Sequence, residues 1–319
     1  MSTGRTVGLL DPSLDSDNMG DSIIQDSVRA ELNKMFPAVH IVRLPTQRFM
    51  TRSERAVARS CDLFIVGGTN ILNGNLPFYM QWKLDPELLS ILAGKTIPMG
   101  VGWWKYQKNT NKLSARVWQT LFLNEFISVR DGYTERKLAS IGISSINTAC
   151  PTMWALPEVV NVSARVKSSV VVTLTDYKRH VEADLALFKS LRQVYDKIYV
   201  WPQGEKDQTY IEKLRLDVTL GERDVRWFNQ KLAHGEADYV GTRLHAGVRA
   251  HQLGAHSLIV AIDNRATEIA SDTGLPVIPR DDWANLEEKI SVRNPARLSL
   301  PHGEIKAWKT KLVGILDAR

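Results

Sequence analysis

Short apolar runs alternate with segments of helical periodicity along most of the chain, and this alternation limits the possible folds more than any other feature. Strands that alternate with helices form parallel sheets covered by helices. We therefore expect an α/β protein. The predicted strands are Thr6–Leu10, His40–Leu44, Asp62–Val66, Thr96–Gly100, Phe126–Val129, Ser168–Thr175, Lys197–Trp201, Asp238–Gly241 and Ser257–Asp263.

The helical segments and the length of the chain predict two domains in series. A chain of 319 residues exceeds one average domain, and the stretch Cys150–Lys167 has prolines and no periodicity, as an interdomain linker would. We expect two Rossmann-like domains, residues 1–155 and 156–302, with a cleft between them. The predicted helices are Asp21–Phe36, Ser53–Ser60, Pro86–Ala93, Ser114–Leu123, Thr134–Ile141, His180–Tyr195, Tyr210–Leu216, Val225–His234 and Leu244–Leu253.

Composition excludes several classes of protein. Two cysteines, Cys61 and Cys150, are too few for a disulfide framework or a multi-cysteine metal site. No apolar stretch is long enough for a signal peptide or a membrane span, so we expect a cytoplasmic protein. The net charge is +6, and the basic and acidic residues are interspersed, so this charge is weak evidence for a nucleic-acid partner. This charge suits acidic small molecules or anionic polymers, and a weak association with a negative membrane surface is a further expectation.

Two loops in the predicted first domain follow strands at the sheet edge where open α/β sheets bind ligands. The loop Asp17–Asp21 carries Asn18 and Gly20 and opens the first long helix. Its carboxylates repel phosphate, so Asp21 either caps the helix or serves as a base in the cleft. The glycines Gly67 and Gly68 either let a ligand approach the backbone or form a tight turn.

Arginines also stand at strand ends in both domains. Arg130 ends one predicted strand, where its guanidinium either binds a carboxylate or phosphate or forms a surface pair with Asp131. Arg243 and His245 stand at another strand-to-helix junction, which predicts a positive site for an anion with a proton donor beside it. We also assign to the cleft three residues that are as compatible with simple turns: Gln203, Asn264 and Arg265.

Taken together, these motifs resemble the polysaccharide pyruvyl transferase family over most of the chain. The resemblance implies the fold of the two-domain GT-B glycosyltransferases, with the first domain on the acceptor side and the second on the donor side. It further implies that phosphoenolpyruvate is bound by Arg130, Arg243, Leu244 and His245. One departure is Thr69, where the family often has a third glycine. The residues that carry the likeness are Asn18, Gly20, Asp21, Gly67, Gly68, Ser128, Val129, Arg130, Asp131, Gly241, Thr242, Arg243, Leu244 and His245.

The implied reaction joins the pyruvyl group of phosphoenolpyruvate to a sugar as a ketal and releases phosphate. We expect His245 and Asp21 to act as acid and base, and we expect no metal and no cofactor. Two alternatives share the fold: a glycosyltransferase that uses a nucleotide sugar, and a non-catalytic protein that binds glycans or anions. The acceptor sugar and the oligomeric state cannot be read from the residues.

The end of the chain predicts an amphipathic helix over residues 303–319. Trp308 and its neighbours recur at helical spacing, and lysines occupy other faces. We expect this helix to pack back across the domains. The alternative is that it lies on a membrane surface.

Overall fold

The computed structural model describes residues 4–122, 126–160, 166–233, 235–282, 286–292 and 295–318, which form two compact units. The first unit contains residues 1–16, 24–154 and 300–319, and the second contains residues 17–23 and 155–299. Each has a parallel sheet with helices in the connections. The predicted α/β class with parallel sheets is therefore confirmed, while the arrangement of the two domains and their roles stay predictions.

The elements of the first unit, in chain order, run from β1 to β6, except that the start of α1 belongs to the second unit. They are β1 (Thr6–Asp11), α1 (Met19–Met35), β2 (His40–Pro45), α2 (Arg52–Arg59), β3 (Leu63–Gly67), α3 (Pro86–Leu92), β4 (Thr96–Met99), α4 (Lys112–Leu121), β5 (Ser128–Val129), α5 (Gly132–Ala139) and β6 (Ile146–Asn147).

The second unit begins with β7, and the last helix of the chain returns to the first unit. These elements are β7 (Val159–Val160), β8 (Ser169–Thr173), α6 (Val181–Val194), β9 (Lys197–Val200), α7 (Glu205–Lys213), β10 (Thr219–Leu220), α8 (Val225–Ala233), β11 (Ala237–Gly241), α9 (Leu244–Gln252), β12 (Ser257–Ala261), α10 (Asn264–Thr273), β13 (Val277–Pro279), α11 (Leu286–Ser291), β14 (Ala296–Arg297) and α12 (His302–Ala318).

The first sheet has the order β2-β1-β3-β4, all parallel, with β1 paired to both β2 and β3. A bridge between Val101 and Val129 joins the end of β4 to β5. Successive side chains of a strand point to opposite faces. Leu9 and Ile65 therefore pack on one face with α1 and α12, whereas Phe64 packs on the other.

The second sheet has the order β10-β9-β8-β11-β12-β13, also parallel. The chain moves outward from β8 to β10 and then returns to β11, directly beside β8. In the first sheet the same reversal falls between β1 and β3. Such switch points open a crevice beyond the carboxyl ends of the strands, where α/β sheets bind ligands.

Helix α7 differs from the sequence expectation in its bounds, and α10 and α11 were not predicted. The helix predicted over Tyr210–Leu216 begins earlier, at Glu205, because Gly204 leads into it in extended conformation and acidic residues stabilise its first turn. Helix α10 was not predicted, because polar residues obscure its periodicity. Its signals are the cap by Asp263, which accepts from the backbone N–H of Arg265, and Gly274 with φ 71° at its end.

Helix α12 packs its apolar face against the first unit. Trp308 is fully buried, its Nε1 donates to the carbonyl of Phe126 at 3.0 Å, and its ring meets that of Trp154 edge to face. This face is therefore not available to a membrane surface.

The basic residues near α2 are also occupied. Arg48 pairs with Glu54 at 2.7 Å, and Arg55 pairs with Asp85 at 2.7 Å. These pairs weaken the expected attraction to a negative membrane. Within the described part of the chain, no helix has the length and apolarity needed to cross a membrane, and the cytoplasmic location stays a prediction.

Candidate functional site

A buried guanidinium lies at the carboxyl edge of the first sheet. Arg130 follows β5 and is 0% exposed. Its Nε donates to Oδ2 of Asp131 at 3.0 Å and its Nη2 to Oδ1 of Asn70 at 2.9 Å. No described residue accepts a hydrogen bond from its Nη1. The alternative of a surface pair with Asp131 is therefore wrong, since both side chains are buried.

The surroundings hold Arg130 in place. Asp131 caps α5, and its Oδ1 accepts from both the backbone N–H and the hydroxyl of Thr134, at 2.7 and 2.6 Å. Gly102 lies so close that a Cβ there would stand 2.1 Å from Cζ of Arg130. Asn70 is fixed at its other end, where Nδ2 donates to the carbonyl of Trp104 at 3.0 Å. The guanidinium is thus oriented before any ligand binds.

The paired glycines after β3 serve helix packing. A Cβ at Gly67 would stand 2.7 Å from Val28, and a Cβ at Gly68 would stand 2.4 Å from Ile24. Both neighbours belong to α1, and Gln25 of the same helix donates to the carbonyl of Gly67 at 3.1 Å. The contacts that require glycine here are therefore side chains of the protein, and the role of these residues toward a ligand stays a prediction.

Arg243 is the corresponding arginine of the second unit. It follows β11 and directly precedes α9, and it forms an ion pair with the buried carboxylate of Asp207. Oδ1 of Asp207 also accepts from the backbone N–H of Asp176 at 2.9 Å. Burial raises the pKa of Asp207, and the neighbouring Arg243 charge opposes that rise. The positive site expected here is therefore a compensated pair, which orients the guanidinium as well as balancing its charge.

Tyr177 brings a second arginine to the same edge. Its ring centroid lies 5.3 Å from Cζ of Arg243 and 5.9 Å from Cζ of Arg265. Arg265 also donates to the hydroxyl of Tyr177 and pairs with Asp263. Guanidinium groups near an aromatic face are attracted by the ring quadrupole. Two of the predicted residues, Arg243 and Arg265, are thus brought together by a residue that was not predicted.

The strand ends on either side of the switch point are joined by side chains. The hydroxyls of Thr175, after β8, and Thr242, after β11, lie 2.8 Å apart. The hydroxyl of Tyr239 donates to the carbonyl of Arg243 at 2.9 Å. His245 is 8% exposed in the first turn of α9, and Leu244 is also buried. Asn264 is buried as well, at the start of α10.

The start of α1 belongs to the second unit and gathers three predicted residues. Oδ1 of Asn18 accepts from the backbone N–H of Gly20 at 3.1 Å, and a Cβ at Gly20 would stand 3.1 Å from Oε1 of Gln203. The carbonyl of Gln203 accepts from the N–H of Met19 at 2.9 Å. Asn18 therefore caps the N–H of Gly20, while Asp21 lies in the first turn of α1, and its role as a base stays a prediction.

Three residues of these candidate sites were not predicted as site residues from the sequence. Asn70 follows the glycines after β3, and Tyr177 follows β8, so the strand-end rule that selected the arginines would also have selected them. Asp207 has no such signal, because its pairing with Arg243 is a tertiary contact. No group of three or more His, Cys, Asp or Glu side chains in the described ranges is arranged to hold a metal ion.

The match of the sequence to a known family is clearer than the match of the fold to solved structures. Residues 18–264 match the profile of the family described as polysaccharide pyruvyl transferase, which confirms the resemblance seen in the motifs. Comparison with curated proteins gives no match.

Two solved structures show the extent of structural likeness. MurG from Acinetobacter baumannii is 10% identical, with a TM-score of 0.42 over 99% of this chain and 100% of that chain. A UDP-forming α,α-trehalose-phosphate synthase from Burkholderia vietnamiensis is 10% identical, with a TM-score of 0.39 over 99% and 96%. Likenesses of this size carry no argument about the present chain.

Proposed function

Because the chain belongs to the polysaccharide pyruvyl transferase family, we propose that it transfers a pyruvyl group from phosphoenolpyruvate to a sugar of a polysaccharide or its precursor. The family consists of transferases, so the coarse activity is that of a transferase in polysaccharide pyruvylation. The finer proposal concerns the donor and the product. One phosphoenolpyruvate and two sugar hydroxyls would give one pyruvate ketal and one inorganic phosphate.

The observation that carries this proposal is the buried guanidinium of Arg130. Taking a charge out of water is costly unless partners compensate it. Asp131 and Asn70 supply partners for Nε and Nη2, and Nη1 is left without one in the described structure. A carboxylate or phosphate oxygen is the partner that a guanidinium fork suits best. Phosphoenolpyruvate carries both groups.

Arg243 and His245 support the same donor. Arg243 stands at the N-terminus of α9, where backbone N–H groups and the helix dipole favour an anion. Its Nε also has no acceptor among the described residues, so the pair with Asp207 leaves donor capacity for a ligand. We therefore propose Arg243, with Leu244 next to it in the chain, as the donor-binding residues of the second unit, and Arg130 as that of the first.

The proposed chemistry has balanced steps. His245 gives a proton to the methylene carbon of phosphoenolpyruvate, and the double-bond electrons form the new C–H bond. A sugar hydroxyl attacks the adjacent cationic carbon, and Asp21 takes the hydroxyl proton. The C–O bond to phosphate then breaks, and the phosphate leaves with the proton that Asp21 holds. A second hydroxyl adds at the same carbon to close the ketal, and its proton returns to His245. General acid–base groups of this kind contribute about 10²–10⁴-fold each.

Thermal-shift binding tests this proposal against its alternatives. Phosphoenolpyruvate should raise the melting temperature of the wild-type protein and of Arg226→Ala, a control at a surface pair, but not that of Arg243→Ala. A shift with UDP-glucose and none with phosphoenolpyruvate would indicate a nucleotide-sugar glycosyltransferase. A shift with oligosaccharides alone would indicate a glycan-binding protein without this donor.

A further inference from the structure

In the part of the chain that the structure describes, the most exposed Phe and Tyr rings share one position relative to the strands. Among the described residues, the Phe and Tyr side chains with about half or more of their surface exposed are Phe49 at 52%, Phe78 at 90%, Tyr106 at 54% and Tyr177 at 49%. Each lies in the segment that follows the carboxyl end of a parallel strand: β2, β3, β4 and β8, respectively. This is the ligand-binding edge of an α/β sheet.

Three of these rings belong to the first unit, where the loops that carry them are tied together. The N–H of Trp104 donates to the carbonyl of Leu72 at 2.7 Å, which joins the loop after β4 to the loop after β3. The N–H of Lys83 donates to the carbonyl of Thr46 at 2.9 Å, which joins the loop after β3 to the loop after β2. Phe78 and Tyr106 therefore stand on a connected set of loops together with Phe49.

Half-buried and buried aromatic side chains anchor the same loops. The rings of Tyr79 and Trp104 stack with their centroids 3.5 Å apart, and the ammonium group of Lys105 lies 4.1 Å from the Trp104 centroid. Nε1 of the buried Trp118 donates to the carbonyl of Asn73 at 3.0 Å. Fixed loops hold an exposed ring in place, so little conformational entropy is lost when a ligand stacks on it.

Asn70 links this surface to the proposed donor site. Its Oδ1 accepts from Arg130 and its Nδ2 donates to the carbonyl of Trp104. One amide group thus separates the guanidinium of Arg130 from the backbone next to Lys105 and Tyr106.

We infer that Phe78, Tyr106 and Phe49 form a stacking surface for sugar rings of the acceptor glycan, and this inference rests on the proposed function. A pyranose has an apolar face of C–H groups that packs on an aromatic ring, while its hydroxyls stay hydrated. Rings on three successive loops suit an oligosaccharide or polymer better than a single sugar. The protein therefore recognises several units of the acceptor.

Titration with saccharides of defined length tests this inference. Saturation-transfer NMR and calorimetry would compare cellotetraose, mannotetraose and chitotetraose with their monosaccharides. We expect at least one tetrasaccharide to bind the wild-type protein more tightly than its monosaccharide. In Phe78→Ala/Tyr106→Ala that affinity should fall about tenfold or more, as expected for the loss of aromatic contacts. Phe78→Tyr should retain it, and so should Ile146→Ala, a control at an exposed residue of β6.

Three results would overturn the inference. The first is that no saccharide binds the wild-type protein, and the second is that the double variant binds the tetrasaccharide as tightly as the wild type does. The third is that the double substitution alters the sedimentation of the protein without altering saccharide binding. The last result would assign the rings to a protein contact. Binding of the donor is measured separately, by the thermal shift with phosphoenolpyruvate. The double variant should show the same shift as the wild type. Tetrasaccharide binding that depends on Phe78, without any phosphoenolpyruvate binding, would refute the proposed donor and leave the stacking surface in place.

Discussion

Asn70 accepts a 2.9 Å hydrogen bond from Nη2 of Arg130, and both side chains are buried. The amide is held from its other end by the carbonyl of Trp104, so its oxygen faces the guanidinium. Asp131 already balances the charge of Arg130, so a second carboxylate in place of Asn70 would give the cluster a net negative charge and repel an anion. The neutral amide therefore orients Arg130 without adding negative charge.

Removal of this amide should weaken catalysis through Arg130. A hydrogen bond to a charged group contributes about 1.5–3 kcal/mol, so Asn70→Ala should lower kcat/KM for phosphoenolpyruvate by roughly 10–150-fold. Because Asn70 positions the arginine, we expect the KM for the donor to rise more than kcat falls. Asn75→Ala, at an exposed residue of the same loop, is the control. Equal kinetics for the two variants would contradict a positioning role.

Loss of the Arg243 guanidinium should impair donor binding with the fold intact. We expect Arg243→Ala to weaken phosphoenolpyruvate binding by about 1.5–3 kcal/mol, the contribution of one charged hydrogen bond. Asp207 would be left buried without its cation, so Arg243→Ala/Asp207→Asn separates binding from stability. Calorimetric titration provides the measurement, with Arg226→Ala as control. Wild-type affinity in the double variant would show that Arg243 does not bind the donor.

Trp308→Ala should destabilise the protein strongly. Its ring is fully buried and its Nε1 is bonded to the carbonyl of Phe126. Replacement of such a side chain costs about 3–5 kcal/mol. Denaturant unfolding measures the loss, and Lys306→Ala, at an exposed position of the same helix, should stay within about 0.5 kcal/mol of the wild type. Similar midpoints for both variants would contradict the packing of α12.

Acid should destabilise the protein through His251. Burial, together with a smaller effect of the neighbouring His256, lowers the pKa of this histidine from 6.5 to about 4. Between these two pH values the unfolded chain binds a proton that the folded chain does not, so the free energy of unfolding falls as the pH falls. From pH 7 to pH 5 the contribution is about 2 kcal/mol. His251→Leu should reduce the measured pH dependence by that amount, whereas His40→Gln, at an exposed histidine, should not. If the free energy of unfolding depends on pH in His251→Leu as it does in the wild type, protonation of His251 does not cause the loss of stability in acid.

The positions of the site residues on the chain could be predicted, but several of their contacts could not. Apolar runs locate strands, and strand ends locate Arg130 and Arg243, because parallel sheets present that edge to ligands. Whether an arginine is buried depends on side chains distant in sequence, such as Asn70 and Asp207. The glycine pair illustrates the same limit: its neighbours Val28 and Ile24 are known only once α1 is placed on the sheet.

Local chemistry also misled the prediction of α1. Asp21 and Asn18 are both good capping residues, and sequence alone does not say which one ends the loop. The backbone places Oδ1 of Asn18 at 3.1 Å from the N–H of Gly20, so Asn18 is the residue that caps. Helix α10 was missed for a related reason: its signals are a cap and a terminal glycine instead of an apolar stripe.

Release of inorganic phosphate from phosphoenolpyruvate in the presence of acceptor oligosaccharides tests the central claim most directly. Phosphate would be quantified together with the pyruvylated sugar by mass spectrometry, for the wild-type protein and His245→Gln, which retains hydrogen bonding but cannot donate a proton at neutral pH. We predict one phosphate for each ketal formed by the wild type and little turnover by the variant with phosphoenolpyruvate still bound. Acceptor-dependent release of a nucleotide from a nucleotide sugar, without phosphate release from phosphoenolpyruvate, would contradict the claim.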